Sequence, residues 1–275
     1  MKPWIMFTKH LEGFDLSQIV SALPTAGVGG ADLCVRPGYP LTPENCAVEL
    51  PRAAASFDSA GLTISIVTLP TEFSDPLSPA MQAVFEACGA AGVPFVKLGY
   101  WWMSEAGYWA TVDDCRRKLE GFEALGSRFG VRALVHNHSG STMGLNASSV
   151  MNLVKGFDPA HIGIYGDVGH LSVVGEPFDM AYSIMKEYLA AVAFKDLVRQ
   201  RTLIEGAAPW LVDVVPLGRG LADYPLILRQ LVEGGFSGPI GFHCEYGGLP
   251  PQSIVDQCRI DTRYIQGLLD SEPAA

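Results

Sequence analysis

Charge is scarce in this sequence: Asp, Glu, Lys and Arg make up 17% of its 275 residues, while 48% are hydrophobic. A disordered chain shows the opposite balance, so this one has enough apolar surface to bury a sizeable core. Positive charge is the scarcer sign, with 19 Lys and Arg against 29 Asp and Glu and a formal net charge of −10. That argues against a protein that grips nucleic acid or an anionic membrane through its overall field, and leaves only a local basic pocket open. No CxxC pair occurs among the six cysteines, Cys34, Cys46, Cys88, Cys115, Cys244 and Cys258. A chain of this size needs no disulfide staples, so reduced thiols in a cytoplasm are expected. A clean membrane span is also missing. The longest stretch without Asp, Glu, Lys or Arg, Ala133–Val154, carries His136, Asn137, His138, Ser139, Ser141 and Asn146. The apolar opening Pro3–Thr8 is too short for the core of an export signal and runs into His10 and Glu12.

What is present is a series of short apolar or β-branched runs, each ending in polar residues: Trp4–His10, Gly30–Arg36, Leu62–Pro70, Phe95–Trp101, Val131–His138, Ile162–His170, Ala190–Asp196 and Gly238–Tyr246. Their ends recur mostly at the roughly 30-residue spacing of a βα unit. Helical signals fall between them. Ser78-Pro79 opens a helix through Ala91, and Thr111 opens one to about Phe129 that closes on Gly130. Asn146 or Ser148 leads into Val150–Lys155, Pro177–Tyr188 precedes the seventh run, and Asp223–Gly234 precedes the eighth. Strand then helix, eight times over, predicts an α/β protein with a single (β/α)8 TIM barrel, and no linker divides residues 1–275, which are read as one domain. The one long interval, Leu197–Gly220, reads as an extended loop after the seventh strand. The glycines of Pro216-Leu-Gly-Arg-Gly220 read as loop glycines, since no predicted strand precedes them.

Five of the six histidines, His10, His136, His138, His170 and His243, fall at or near predicted strand ends, together with Lys9, Arg36, Lys97, Asp167, Lys195, Asp196 and Glu245. Barrel active sites are built at those ends. Residues two apart on a strand share a face, which pairs His136 with His138, Tyr165 with Asp167, Ala193 with Lys195 and His243 with Glu245. Two carboxylates, several imidazoles and a lysine in one pocket can hold a divalent metal or move protons without one. Singly, Lys9, Arg36 and Lys97 read more readily as rim charges balancing local carboxylates than as substrate contacts. Tyr100-Trp101-Trp102 suits either core or pocket wall.

At these residues the chain resembles the xylose isomerase-like barrel superfamily of sugar phosphate isomerases and epimerases, with its inosose dehydratase-like and endonuclease IV-like members. The segments that carry the resemblance are Val135-His-Asn-His-Ser-Gly140, Gly166-Asp-Val-Gly-His170, Phe194-Lys-Asp196, Val215-Pro-Leu-Gly-Arg-Gly220 and Gly241-Phe-His-Cys-Glu-Tyr246. Epimerases of this group hold a divalent metal with Glu, Asp, His and Glu on strands five to eight and move a proton through an enediolate. Carried over, Asp167 and Glu245 match two ligands and His170 a substrate-contacting histidine. The strand-five glutamate is replaced by His136 and the strand-seven histidine by Ala193.

The resemblance therefore implies a metal site of His136, Asp167 and Glu245, aided by His243. Exchanging Glu for His leans the site toward Zn²⁺ or Mn²⁺ rather than Mg²⁺. The other outcome is no metal, with Glu245 and His136 as a facing acid/base pair and Lys195 or a histidine stabilising an enolate. The implied activity is isomerisation or epimerisation of a sugar or keto-sugar. Glu245 is the base, His136 its partner, and His138, His170, Lys195, His243, Arg36 and Lys97 are substrate contacts. A dehydratase or lyase using the same enolate, and a non-catalytic carbohydrate-binding barrel, remain as alternatives. An endonuclease IV-like role lacks both the multi-metal ligand set and the basic surface. Whether the chain forms a homo-oligomer is left open.

Overall fold

The computed structural model describes residues 3–202 and 210–271. Eight strands close a parallel barrel: β1 (Trp4–Phe7), β2 (Gly30–Cys34), β3 (Thr63–Thr68), β4 (Phe95–Lys97), β5 (Arg132–His136), β6 (Ile162–Asp167), β7 (Leu189–Phe194) and β10 (Ile240–Phe242). Each falls on one of the eight apolar runs, β7 starting one residue ahead of its run. The runs are nearly continuous because a barrel strand is covered on both faces. Ile5, Ile66, Leu134, Tyr165, Ala191 and Ala193 fill the barrel interior, while a larger apolar layer joins the outer face to the helices. The two alanines on β7 leave space for the Tyr165 ring. A side chain at Gly241 of β10 would collide with the Tyr165 hydroxyl, so this glycine lets the phenol cross the barrel.

The helices are α1 (Leu16–Ala26), α2 (Cys46–Ser59), α3 (Pro79–Ala90), α4 (Tyr108–Phe129), α5 (Ala147–Val154), α6 (Val168–Val173), α7 (Phe178–Met185), α8 (Tyr224–Glu233) and α9 (Pro251–Ser271). Local chemistry sets their ends. Asp15 and Gln18 form a capping box on α1. Pro79 occupies the first turn of α3, and Asn146, rather than Ser148, caps α5. Gly130 closes α4 at φ 68°, a left-handed conformation that suits glycine. α4 starts at Tyr108, three residues before the expected Thr111, whose hydroxyl instead bonds back to the Gly107 carbonyl.

Two expectations need correction. The run Ile162–His170 ends as a strand at Asp167, whose carboxylate accepts the His170 amide and caps α6, so Val168–His170 are helical. The interval Leu197–Gly220 is not a plain loop: β8 (Asp196–Arg201) pairs antiparallel with β9 (Trp210–Val215) as an arm beside the barrel. A strand therefore does precede Gly218 and Gly220. Residues 203–209 of that interval lie outside the described residues. The arm escapes a search for buried runs because most of its side chains are exposed or half-buried.

Asp196 anchors the arm. Its carboxylate accepts the backbone amides of Leu197, Gly218, Gly220 and Ala222 at 2.8–3.0 Å, and a side chain at Gly220 would collide with it. Asp196→Ala leaves four amides to find other partners and is expected to lower stability by about 3 kcal/mol. Urea denaturation reads this directly, and a loss below about 1 kcal/mol would show that the carboxylate does not hold the arm. All six cysteines are buried and none forms a disulfide. No described helix is long and apolar enough to cross a membrane.

Candidate active site at the barrel mouth

Strand ends, the residues just past them and one turn motif bring the site together: His136 and Asp167 close β5 and β6, Lys195 and His243 follow directly on β7 and β10, and Glu245 lies two residues beyond His243. Asn137 ties β5 to β6 through its side chain, whose Oδ1 accepts the Asp167 amide at 2.7 Å and whose Nδ2 donates to the Asp167 carbonyl at 3.1 Å. With Asp167 Oδ1 committed to the cap of α6, Oδ2 is turned into the barrel. There it lies 3.3 Å from His136 Nε2, 3.7 Å from His243 Nδ1, 3.8 Å from His170 Nε2 and 3.4 Å from Lys195 Nζ. The Lys195 ammonium also forms an ion pair with Glu245 and donates to His170 Nε2 at 3.1 Å. Glu245 receives a second ammonium from Lys9 at 2.8 Å, with His10 4.0 Å away on the outer side. Lys9 thus balances a local carboxylate.

These groups line a cavity of about 860 Å³, its open neck included, a size that suits a small metabolite. Lys9, Arg36, Lys97, His136, His138, Lys195, His243 and Glu245 all face it. Tyr100 and Trp102 supply aromatic wall, whereas Trp101 turns inward and bonds to the Ser74 carbonyl. His136 and Glu245 are not in contact; Asp167 and Lys195 link them. His170 does not line the cavity: it is held between Ser139 Oγ at 2.8 Å and Lys195, and its ring packs 3.9 Å from that of His138.

Burial and charge set the protonation states. Burial works to raise the Asp167 carboxyl, but Lys195, His170 and His136 hold it well below the usual carboxylate range. Burial opposes the ionised Glu245 in the same way, and Lys195, Lys9 and His243 overcome it. Lys195 is lowered by burial and raised further by Asp167 and Glu245, so it remains an ammonium. Burial pushes His136 and His170 well below their ordinary value, and His138 in the same direction. The center is therefore two carboxylates bridged by one ammonium, with His136, His138 and His170 held neutral around them.

Three atoms in this center are arranged as ligands. His136, Asp167 and His243 each offer one donor, mutually within 4.8 Å. His136 Nε2 and Asp167 Oδ2 are buried without a hydrogen-bond partner. Tyrosine hydroxyls hold the far nitrogens of both rings: Tyr100 at 2.7 Å from His136 Nδ1 and Tyr165 at 2.9 Å from His243 Nε2. A hydrogen bond to the far nitrogen fixes the orientation of an imidazole ligand, so these residues fit a divalent ion, and two nitrogens with one oxygen suit a transition metal. His243, not Glu245, completes this cluster. Sequence reasoning missed Asp32, a fully buried carboxylate on β2 that accepts the Thr68 hydroxyl at 2.6 Å and approaches His243 Nε2 at 3.8 Å. Counting back by twos from Arg36 reaches it. Tyr100 was singled out only as core or wall, without its bond to His136.

The sequence matches the xylose isomerase-like TIM barrel family over residues 20–260, and the chain belongs to that family. Among solved structures it is similar to the IOLI protein with a bound zinc atom, at 14% identity and TM-score 0.76, covering 96% of this chain and 98% of that one. It is also similar to 3-keto-D-glucoside 4-epimerase YcjR from E. coli, at 12% identity and TM-score 0.75, covering 97% and 100%. A third is the probable 3-DHS dehydratase AsbF from Bacillus anthracis, at 12% identity and TM-score 0.71, covering 96% and 99%. At these identities the likeness is one of fold. No curated protein matches by sequence.

Proposed function

We propose that this member of the xylose isomerase-like barrel family acts on an open-chain keto-sugar or related polyhydroxy carbonyl compound, moving a proton at the carbon next to the carbonyl to isomerise or epimerise it. The observation that carries the reading is Lys195, whose ammonium is held between Asp167 and Glu245 at the cavity floor. A fixed cation beside a carboxylate base serves both halves of an enolisation. Glu245, ionised and oriented by Lys9 and Lys195, accepts the carbon-bound proton, and Lys195 stabilises the oxygen on which negative charge develops. His138, its Nδ1–H donated to the Ser139 carbonyl at 2.7 Å, offers Nε2 as an acceptor for a substrate hydroxyl. Returning the proton to the same carbon on the other face gives an epimer, and returning it to the neighbouring carbon gives an isomer. The kinship of fold with a 3-keto-D-glucoside 4-epimerase supports this class.

His136, Asp167 and His243 would hold a divalent ion, with Zn²⁺ or Mn²⁺ favoured by the donor set. When bound, the ion supplies Lewis acidity at a substrate oxygen. Metal binding needs the lone pair of His136 Nε2, whereas a proton-donating His136 needs a hydrogen there, so the two roles require opposite tautomers. Apo protein exposed to Zn²⁺ and passed over a desalting column is expected to retain about one ion per chain, and His136→Ala is expected to bind it roughly 100-fold more weakly. Failure of the unaltered protein to retain an ion assigns His136 to proton transfer instead.

Product analysis over a panel of keto-sugars tests the reaction class. A product of unchanged mass supports isomerisation or epimerisation. Loss of water or a cleaved glycoside replaces that reading with a lyase, and binding without turnover replaces it with a carbohydrate-binding barrel.

A further inference from the structure

Four cationic side chains among the described residues line the cavity: Lys9, Arg36, Lys97 and Lys195. Lys9 and Lys195 are both paired to Glu245. The other two have no carboxylate at ion-pair distance among the described residues; Lys97 is withdrawn from solvent and Arg36 is half-buried. Lys97 is only 5% exposed and its ammonium rests 3.9 Å from the centroid of the Tyr100 ring, a contact that stabilises a cation without neutralising it. Arg36 buries Nε with no hydrogen-bond partner. Burying an unpaired cation costs stability, and a cavity that buries Lys97 and sets the half-buried Arg36 on the same side is built to receive the missing counter-charge.

The strand register shows how the two converge. Cys34, Thr68 and Lys97 stand in one row across β2, β3 and β4. Strands are about 4.8 Å apart, so Cys34 and Lys97 are separated by roughly 10 Å of backbone. Arg36 lies two residues beyond Cys34, and both long side chains can reach a common point above Thr68. Burial brings the Lys97 amine down to about 7, with Asp32 and Glu245 opposing that fall and Arg36 adding to it. An anion placed there restores the charge. In the barrel order, β3 stands opposite β7, which carries Lys195 at its end, so this pair faces the proposed reacting center across the cavity.

We infer that Arg36 and Lys97 form a subsite for an anionic group on the substrate, a carboxylate or a phosphate, at the end of the molecule away from the reacting carbonyl. The inference rests on the carbonyl chemistry proposed above and narrows its substrate class to acidic keto-sugars. Arginine supplies a planar fork for two oxygens and lysine a point charge, a combination that suits either anion.

Calorimetric titration with D-fructose, D-fructose 6-phosphate and 5-keto-D-gluconate tests it, because the second and third carry their charge at the chain end remote from the carbonyl or close to that arrangement. At least one anion is expected to bind about tenfold or more tighter than fructose, with the advantage shrinking as salt is added. Which anion gains identifies the group. Lys97→Met and Arg36→Gln are each expected to abolish the preference, and Lys97→Met, which replaces an unpaired cation by an apolar chain of similar length, is expected to melt no lower than the unaltered protein. Equal binding of fructose and both anions, absence of anion binding, or an undiminished preference in both variants overturns the subsite. Exchange of solvent deuterium into all three sugars without anion preference removes the subsite and leaves the carbonyl chemistry. Anion-selective binding without exchange in any of them does the reverse.

Discussion

Glu245→Gln is expected to slow carbonyl-adjacent proton exchange by about 10²–10⁴-fold, the range associated with a positioned general base. The amide is close in shape but keeps only one of the two oxygens that Lys9 and Lys195 contact separately, so one ammonium keeps its acceptor while the other faces an NH2 group; Lys195 still has Asp167 beside it, and the fold should survive at lower stability. What it lacks is basicity. Substrate affinity should change far less than turnover, because the carboxylate acts on the reacting proton rather than on the body of the sugar. Circular dichroism close to that of the unaltered protein and a cooperative melting curve at a lower midpoint, combined with lost exchange, are the expected pair of results. Retained exchange removes Glu245 from the role of base.

Lys195→Met should cost both stability and activity. Its ammonium is 4% exposed and stands between Asp167, which is fully buried, and Glu245. Its loss leaves two carboxylates without their shared cation, and breaking a buried pair in this way costs roughly 3–5 kcal/mol. His170 loses a donor at the same time. Exchange should fall by about 10²–10³-fold from the missing charge at the enolate oxygen. Lys195→Arg separates the two effects, since it keeps the cation but moves its charge: stability should largely return while turnover stays low. A Lys195→Met variant as stable and active as the unaltered chain would show that the bridge seen at the cavity floor is incidental.

The barrel was legible in the sequence because parallel strands covered on both faces leave nearly continuous apolar runs, and every barrel strand falls on one of the eight runs, β7 starting one residue ahead of its own. The same criterion failed for β8 and β9. Leu197 and Val198 are followed by exposed Arg199, Gln200 and Arg201, and Trp210, Leu211 and Val212 are exposed on the other strand, so the arm has no buried signature. α6 was hidden because Asp167 ends a strand and caps a helix in one residue. Alternation also placed most of the site: it put His136, His138, Lys195, His243 and Glu245 on the cavity side, where all of them line the wall. It could not say which charges meet. The Lys195 bridge and the choice of His243 beside His136 and Asp167 depend on approach across the barrel between residues many positions apart. Asp32 escapes a search confined to strand ends because it sits in the middle of β2, Gly30–Cys34.

The central claim is that this barrel enolises a carbonyl compound with Glu245 as base beside a fixed Lys195 ammonium. The most direct test is proton NMR of a keto-sugar panel, with free and anionic members, incubated with the unaltered protein in D₂O. Loss of the signal from the proton next to the carbonyl, dependent on the protein and suppressed in Glu245→Gln, is the predicted result even where no net product accumulates. Binding of a keto-sugar in the cavity with that proton fully retained would contradict it.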